Sequence, residues 1–448
     1  MSADSLRNDT LRKALAFGRE RWCMRFRSRA HLEGWQARRI AEFIRDTLPK
    51  AKRFRGFGGV SLDGLPYMDK AVMMADFDAF NTRGVTLAEA AEVALHAERT
   101  RNFQPLLGDL TVGMSSGTSG TPGVFLVSES ERQLWAGAAL ARTLSENLLK
   151  RLLAPWRSPL RIAFFLRANS NLYTSLHSRR IRFDFYDLLH PIEDAFAALA
   201  AAPPDLLVAP ASILKALAVA KLKGRTTLQP VQIVSVAEVL EPGDVVLIKA
   251  AFDRQPQQIY QATEGFLGFT CELGTLHLNE ARVHVEPDWM DVAQTRFQPI
   301  ITDFSREIQM IVRYRLKDVV TVAGPCPCGR PERAVSAVDG RADEVLLLPS
   351  LRDESEVRVY PDILRHSLML AGPELEEYRI TQSGMVWTID VRIAGAHPET
   401  VGRIEAAILE LCRRLRAVPP RLQFGIWRPL AAGMKRRRIR LLLPPEAS

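Results

Sequence analysis

The sequence predicts an α/β protein, with a large multi-layered N-terminal domain built on a mostly parallel sheet and a small, mobile α+β domain at the C-terminus. Three observations predict it. At 448 residues the chain exceeds what one hydrophobic core usually spans. Between residues 160 and 236, short apolar runs alternate with helical stripes, the pattern of strands joined by crossover helices. After residue 340 the pattern changes to strand pairs around one strongly amphipathic helix. The hydrophobic fraction of 47% and charged fraction of 25% suit a soluble globular chain.

Taken in order, residues 1–60 read as a helical cap, with Trp35, Ile40, Phe43 and Ile44 at helical spacing. Leu65-Pro66 leads to Asp69-Lys70, then Phe77, Phe80 and Asn81, and a helix is predicted at Leu87–Glu98. A strand ending in Leu110-Thr-Val and a second one, Val124–Val127, flank G-M-S-S-G-T-S-G-T-P-G, Gly113–Gly123. Such a loop has little side-chain bulk. Its backbone N–H groups can close around an anion, and its hydroxyls can donate to phosphate oxygens. It is neither a Walker loop nor G-x-G-x-x-G, and taken alone it also reads as a flexible surface turn.

Ser128 is a fair N-cap for a helix at Glu129–Lys150, whose stripe is Leu134, Ala138, Ala141 and Leu144. Buried strands are predicted at Arg161–Leu166, Arg182–Tyr186, Leu206–Ala209 and Gln232–Val236, with helices at Ile192–Ala202 and Ala211–Leu222. Arg167–Tyr173, rich in Asn and Ser, is a candidate lining for a substrate pocket or simply a turn. Near the C-terminus, Tyr378–Ile380, Val386–Ile393, Arg421–Trp427 and Ile439–Leu443 read as strands. Glu399–Arg416 reads as a helix with Val401, Ile404, Ile408, Leu411 and Leu415 on one face. A hinge near Gly340–Glu344 would divide the chain into domains at 1–339 and 340–448.

The net charge is +9, which suits a protein handling phosphates, coenzyme A or an acidic carrier. The charge is spread along the chain. Its densest runs, Lys52–Arg55 and Lys435–Arg440, are short and read as solvated basic faces. The first residues lack the apolar core of a signal peptide, and no apolar run is long enough to span a membrane. Five cysteines cannot form a fully paired disulfide framework, so a reducing cytoplasm is expected.

Three of those cysteines fall near one histidine. Cys271 and His277 lie six positions apart, and Cys326 and Cys328 form a C-x-C motif before Gly329. Soft thiolates and an imidazole make a tetrahedral zinc site of the Cys₃His type; reduced buried cysteines are the other reading. Cys23 and Cys412 read as core residues, and His177, His190, His284 and His366 as structural ones.

Further short motifs follow the glycine-rich loop in a fixed order. They are Ser235-Val236-Ala237-Glu238, Tyr260-Gln-Ala-Thr263-Glu264-Gly265, Tyr314-Arg-Leu-Lys-Asp318, Gly340-Arg341-Ala-Asp-Glu344 and Gly433-Met434-Lys435. Together they resemble the adenylate-forming superfamily of acyl-CoA ligases, peptide-synthetase adenylation domains and luciferases. The likeness spans roughly residues 60–440. Within the superfamily the chain looks most like the phenylacetate–CoA ligase and acyl-protein synthetase branch, including enzymes related to the synthetase that adenylylates a deazaflavin coenzyme. Leu65-Pro66, Lys70, Phe77 and Asn81 fit that branch.

The resemblance implies that Ser115, Ser116, Gly117, Thr118, Ser119 and Gly120 hold the β- and γ-phosphates of ATP. Thr121 stands where many relatives have lysine. Ala237 and Glu238 would border the adenine, Tyr260 would stack on it, and Thr263 would touch phosphate. Glu264 would hold Mg²⁺, Asp318 would accept from the ribose hydroxyls with Arg341 nearby, and Lys435 would act on the α-phosphate. Some relatives in the branch share the Cys and His pattern, which implies a structural zinc. The implied reaction turns an aryl or fatty acid into an acyl-AMP and passes the acyl group to the thiol of coenzyme A or of an acyl or peptidyl carrier protein. A small carboxylic acid is then the substrate, no nucleic acid or membrane partner is needed, and a homodimer is compatible. Two alternatives compete: adenylylation of a cofactor hydroxyl or acyl transfer to an amine, and a zinc-containing nucleic-acid-binding protein without ATP turnover.

Overall fold

The computed structural model describes residues 12–103, 106–115, 123–166, 176–369, 371–372, 374–395, 397–429 and 437–442. The chain forms two compact units, Met1–Leu316 with Thr321–Ala337, and Lys317–Val320 with Val338–Ser448.

In the larger unit, β1 (Leu110–Met114) and β2 (Val124–Ser128) pair antiparallel, with Gly113 opposite Phe125. A side chain at Gly113 would strike that ring, its Cβ falling 2.0 Å from Phe125 Cζ. Ser128 then caps the helix Glu129–Thr143 through a capping box with Glu131. The single helix expected over Glu129–Lys150 is in fact two, Glu129–Thr143 and Glu146–Leu153. The Gln232 side chain makes the break: its amide donates to the Thr143 carbonyl at 2.6 Å and accepts from the Ser145 N–H at 3.0 Å. A tertiary contact thus satisfies the backbone groups that a continuous helix would have paired.

The main sheet starts with β3 (Leu160–Leu166), β4 (Ile181–Asp187), β5 (Leu206–Ala209), β6 (Gln232–Ser235) and β7 (Gln257–Ala262). These run parallel in the order β4-β3-β5-β6-β7. Alternate residues face opposite layers. Ala163, Phe165, Leu207, Ala209 and Ile233 pack on the helices Ile192–Ala201, Ala211–Leu222 and Pro242–Phe252. Ile162, Phe164, Leu206, Val208 and Val234 pack with Ala141, Leu148 and Leu149 of the opposite layer. The strand expected to be buried at Arg182–Tyr186 is the outermost one, β4, and beyond Ile181 it is half-buried or exposed, because it has a neighbour on one side only.

The parallel arrangement stops at β7. β8 (Gly265–Thr270) turns back on β7, β9 (Leu276–Leu278) on β8, and β10 (Val283–Trp289) pairs with β11 (Arg296–Asp303), all antiparallel. β12 (Tyr314–Arg315) adds to β11. β13 (Asp318–Val322) and β14 (Ala334–Arg341) complete a 12-stranded sheet and carry the chain between the units.

The smaller unit holds a hairpin of β15 (Leu346–Pro349) and β16 (Glu356–Val359). Its four-stranded sheet has the order β19-β18-β17-β20, from β17 (Leu375–Ser383), β18 (Val386–Ile393), β19 (Arg421–Ile426) and β20 (Ile439–Leu442). Trp387, Ile389 and Ile380 pack against Ile404, Ile408 and Leu411 of the helix Glu399–Leu415 and against Leu364 and Leu368 of the helix Pro361–Met369. The basic run before β20 is not a solvated face throughout. Arg437 pairs with buried Glu344 at 2.9 Å, and Arg438 pairs with Glu377 at 3.3 Å and lies over the Tyr378 ring.

Among the described residues no helix is long and apolar enough to cross a membrane.

Candidate active site

Because β6 and β7 are adjacent and parallel, the residues following them emerge at the same edge of the sheet. Ala237-Glu238 follow β6, and Thr263-Glu264 follow β7. The carboxyl edge of a parallel sheet is where open α/β folds place their ligands.

At Ala237 the backbone is strained. Its φ is +65°, and the Glu238 N–H donates to the Val236 carbonyl two residues back at 2.8 Å. A non-glycine residue held in such a tight turn costs on the order of 1–3 kcal/mol, and strain of this kind clusters at functional sites. The Glu238 carboxylate accepts from the Ser212 N–H at 2.9 Å, in the first turn of Ala211–Leu222, so that side chain helps to start a helix. Tyr260 lies on β7 and is only 9% exposed.

Thr263 and Glu264 form the turn between β7 and β8. β7 carries a register irregularity between Tyr260 and Gln261, a bulge that re-aims the residues after it. The Thr263 hydroxyl donates to the Glu264 carboxylate at 2.8 Å. Beneath the turn lies Arg306, 1% exposed, which donates to the carbonyls of Thr263 at 3.0 Å and Glu264 at 2.8 Å. Arg306 also stacks over Trp135 and faces Asp303 at 3.5 Å. Burial pushes the Asp303 carboxyl up, while Arg306 and Ser305 pull against that shift. No sequence motif pointed to Arg306, which lies 42 positions beyond Glu264.

Glu264 and Thr263 line an open cleft together with Lys70, Ser115 and Gly123, walled by Met73, Val124, Phe125, Gln309, Ile311 and Tyr314. Ser115 and Gly123 close the neck of the glycine-rich loop: the Ser115 N–H donates to the Gly123 carbonyl and the Gly123 N–H to Ser115 Oγ, each at 2.7 Å. Ser116, Gly117, Thr118, Ser119 and Gly120 lie outside the described residues, as does Lys435. The cleft therefore unites the loop's neck with the Thr263-Glu264 turn. Ala237, Glu238 and Tyr260 are not among its walls.

Asp318 and Arg341 belong to the smaller unit. The Ala342 N–H donates to the Lys317 carbonyl at 2.6 Å, which sets the two motifs side by side. Arg341 ends β14, and its N–H donates to the Glu344 carboxylate at 3.2 Å.

The ligating atoms of Cys271, His277, Cys326 and Cys328 all lie within 4.8 Å of one another. Cys271 Sγ is 3.9 Å from Cys326 Sγ, and Cys328 Sγ is 3.4 Å from His277 Nε2. His277 Nδ1 donates to the Glu332 carbonyl at 2.8 Å, which leaves Nε2 as the nitrogen that faces the sulfurs with a lone pair. Burial raises the Cys326 thiol, but hydrogen bonds from Thr275, the Cys328 backbone and His277 outweigh it and pull it down to about 6. Burial and the neighbouring sulfurs of Cys326 and Cys271 push Cys328 up to about 12. A dication would remove this conflict by holding the sulfurs as thiolates. Three thiolates and one oriented imidazole at this spacing fit a closed tetrahedral metal site.

No protein-family model matches the chain, and no curated protein matches its sequence. Solved structures do. The chain is similar to 2-hydroxyisobutyryl-CoA ligase in its postadenylation state in complex with 2-HIB-AMP, with a TM-score of 0.62 and 14% identity over 93% of this chain and 90% of that one. It is similar to the amide bond synthetase McbA from Marinactinospora thermotolerans, with a TM-score of 0.51 and 14% identity over 73% of this chain and 68% of that one. It is also similar to the anthranilate CoA ligase AuaEII in complex with anthranoyl-AMP, with a TM-score of 0.51 and 13% identity over 73% and 65%. At such identities the likeness shows the fold: a large N-terminal α/β part followed by a smaller C-terminal one.

Proposed function

We propose that this chain is an adenylate-forming ligase, closest in kind to the phenylacetate–CoA ligase and acyl-protein synthetase branch. Its substrate would be an aryl or fatty acid. One observation carries the reading: the neck of the glycine-rich loop and the Thr263-Glu264 turn, 148 positions apart by Ser115 and Thr263, share one cleft at the carboxyl edge of the sheet.

In the first half-reaction a carboxylate oxygen of the substrate attacks the α-phosphorus of ATP. The bond from that phosphorus to the β-phosphate oxygen breaks, and pyrophosphate leaves with the electron pair. The protein has little covalent work to do, so positioning and charge neutralisation dominate. Glu264 is the residue that would hold Mg²⁺, which when bound neutralises phosphate oxygens. The loop from Ser115 to Gly120 would hold the departing phosphates, Ala237, Glu238 and Tyr260 the adenine, and Asp318 with Arg341 the ribose. In the second half-reaction a thiol of coenzyme A or a carrier protein's phosphopantetheine attacks the acyl carbon and AMP leaves. Cys271, His277, Cys326 and Cys328 would hold a structural zinc apart from the chemistry.

Acid-dependent exchange of labelled pyrophosphate into ATP, run against a panel of aryl and fatty acids, tests the reading. Exchange with one acid class supports it and names the substrate. ATP hydrolysis or a stable AMP ester in place of exchange and thioester would overturn it. The fold is shared by CoA ligases and by an amide bond synthetase, so the acceptor is read separately, by offering coenzyme A and amines to the charged enzyme.

Lys435 follows Gly433-Met434, the spacing at which the resembling family carries a lysine for the first half-reaction. A compact ammonium suits the charge that develops between the carboxylate and the α-phosphoryl oxygens. Lys435→Ala is expected to lower acyl-AMP formation at least ~30-fold, about 2 kcal/mol, and to leave thioester formation from supplied acyl-AMP within about twofold. Equal slowing of both half-reactions would rule out that division of labour.

A further inference from the structure

The glycine-rich loop carries no cation of its own: from Ser115 to Gly123 it reads S-S-G-T-S-G-T-P-G. A triphosphate brings about four negative charges, and backbone N–H groups and hydroxyls alone match them poorly. The structure supplies a cation from elsewhere in the chain. Lys70, 45 positions before Ser115, starts the short helix Lys70–Ala75. Two residues earlier, Met68 is stitched to the strand segment around Tyr314: the Met68 N–H donates to the Arg313 carbonyl at 3.1 Å, and the Arg315 N–H to the Met68 carbonyl at 2.8 Å. Asp69 caps the helix by accepting from the Val72 N–H at 2.9 Å. The backbone of Lys70 is thus fixed from both sides.

Its side chain runs across the neck of the loop. Nζ lies 3.4 Å from Ser115 Oγ. A Cβ on Gly123 would fall 2.9 Å from Lys70 Cε and 3.6 Å from Cδ, so the absence of a side chain at Gly123 leaves the path for the lysine stem. Among the described residues lining the cleft, Lys70 is the one cation, and Glu264 the one carboxylate. An ammonium at the loop's neck, in a cleft shared with a carboxylate suited to Mg²⁺, is placed to meet the polyphosphate end of a nucleotide.

We propose that Lys70 holds the β- and γ-phosphates of ATP and stabilises pyrophosphate as it leaves. It acts as a fixed charge and exchanges no proton with the reactants. The proposal rests on the adenylate-forming reading above and adds to it the residue that replaces a loop lysine.

The test compares nucleotides that differ only in the phosphates concerned. Calorimetric titration of the purified protein with ATP and with AMP, both with Mg²⁺, is expected to show tighter binding of ATP. Lys70→Met keeps the stem and removes the charge. It should weaken ATP binding at least tenfold while AMP binding stays within twofold, which also reports that the variant is folded. Lys70→Arg should retain most of the ATP preference. In pyrophosphate exchange the KM for pyrophosphate should rise at least tenfold in Lys70→Met, and thioester formation from supplied acyl-AMP should not change. If Lys70→Met does not fold, the wild type still decides: pyrophosphate should protect Lys70 from an amine-acetylating reagent, read by peptide mass spectrometry, and AMP should not. An unchanged ATP-over-AMP preference in Lys70→Met, or equal protection by both ligands, would overturn the proposal. A wild type that binds no ATP would instead overturn the parent reading.

Discussion

Glu264→Gln is expected to slow acid-dependent pyrophosphate exchange about 100-fold, a loss of about 2.7 kcal/mol of transition-state stabilisation. The substitution keeps the side chain's size and removes one negative charge from a cleft whose other described lining residues include Lys70 and Ser115. The Thr263 hydroxyl, which donates to the carboxylate at 2.8 Å, can still donate to the amide oxygen, so local packing is retained. The turn itself is held from below, because Arg306 donates to the carbonyls of Thr263 and Glu264. Overall stability should therefore stay near that of the wild type, and a urea unfolding midpoint separates a loss of chemistry from a loss of fold. If Glu264 holds the metal, the variant also needs more Mg²⁺ to reach half its maximal rate, since a neutral amide is a poorer ligand for a hard cation. Near-normal exchange with an unchanged Mg²⁺ dependence would remove Glu264 from this role.

What the sequence revealed about this cleft, and what it hid, follows from the range of the interactions involved. The strands flanking Gly113–Gly123 are legible because their apolar runs are local, and the structure finds them at Leu110–Met114 and Val124–Ser128. The alternation between residues 160 and 236 is legible for the same reason: the inner strands β3, β5 and β6 bury both faces, and each crossover helix carries its own stripe, whereas the edge position of β4 is set by its neighbours and not by its own residues. The break after Thr143 is not legible, because the amide that captures both helix ends belongs to Gln232, 89 positions away. Nor is the arrangement of Lys70 across the loop's neck, or of Arg306 under the Thr263-Glu264 turn. Both are single cations whose meaning arises from contacts 45 and 42 positions distant. The Arg437 and Arg438 pairs are hidden in the same way, since a run of arginines looks solvated until Glu344 and Glu377 are seen beside it. The four metal-type ligands lie between these extremes. Their residue types and the C-x-C spacing can be read from the sequence, whereas His277's tautomer is set by a backbone carbonyl at Glu332 that no pattern announces.

That Cys₃His cluster leads to the other large expected effect. Protein purified without chelator should carry about one zinc per chain, and Cys326→Ser should carry little. Structural four-ligand sites contribute folding free energy outright, about 10–16 kcal/mol in small zinc domains. Losing one of four ligands is then expected to cost this protein about 3 kcal/mol or more of unfolding free energy. Stripping zinc from the wild type should lower its unfolding midpoint to a similar degree, and the same treatment should not lower that of Cys326→Ser further. The loss should also be local. His277 lies on β9, and Glu332, whose carbonyl orients it, has its carboxylate 3.5 Å from Arg142 in a buried network with Glu20 and Arg282. A few residues along, Glu280 accepts from Arg29 and from the Arg333 N–H, so the N-terminal helix Arg29–Asp46 is anchored to the same region. Hydrogen exchange should therefore rise in β9, around 326–334 and in the helix Arg29–Asp46 when the metal is lost. It should not rise in the strands of the smaller unit, whose core of Trp387, Ile389, Ile404 and Ile408 is its own. ATP affinity should change little, because none of the four ligands lines the cleft that holds Glu264. Zinc-free protein of full stability would show that the cluster is a set of reduced buried thiols. A chelated protein that keeps its fold but loses ATP binding would place the metal in the chemistry and not in the framework.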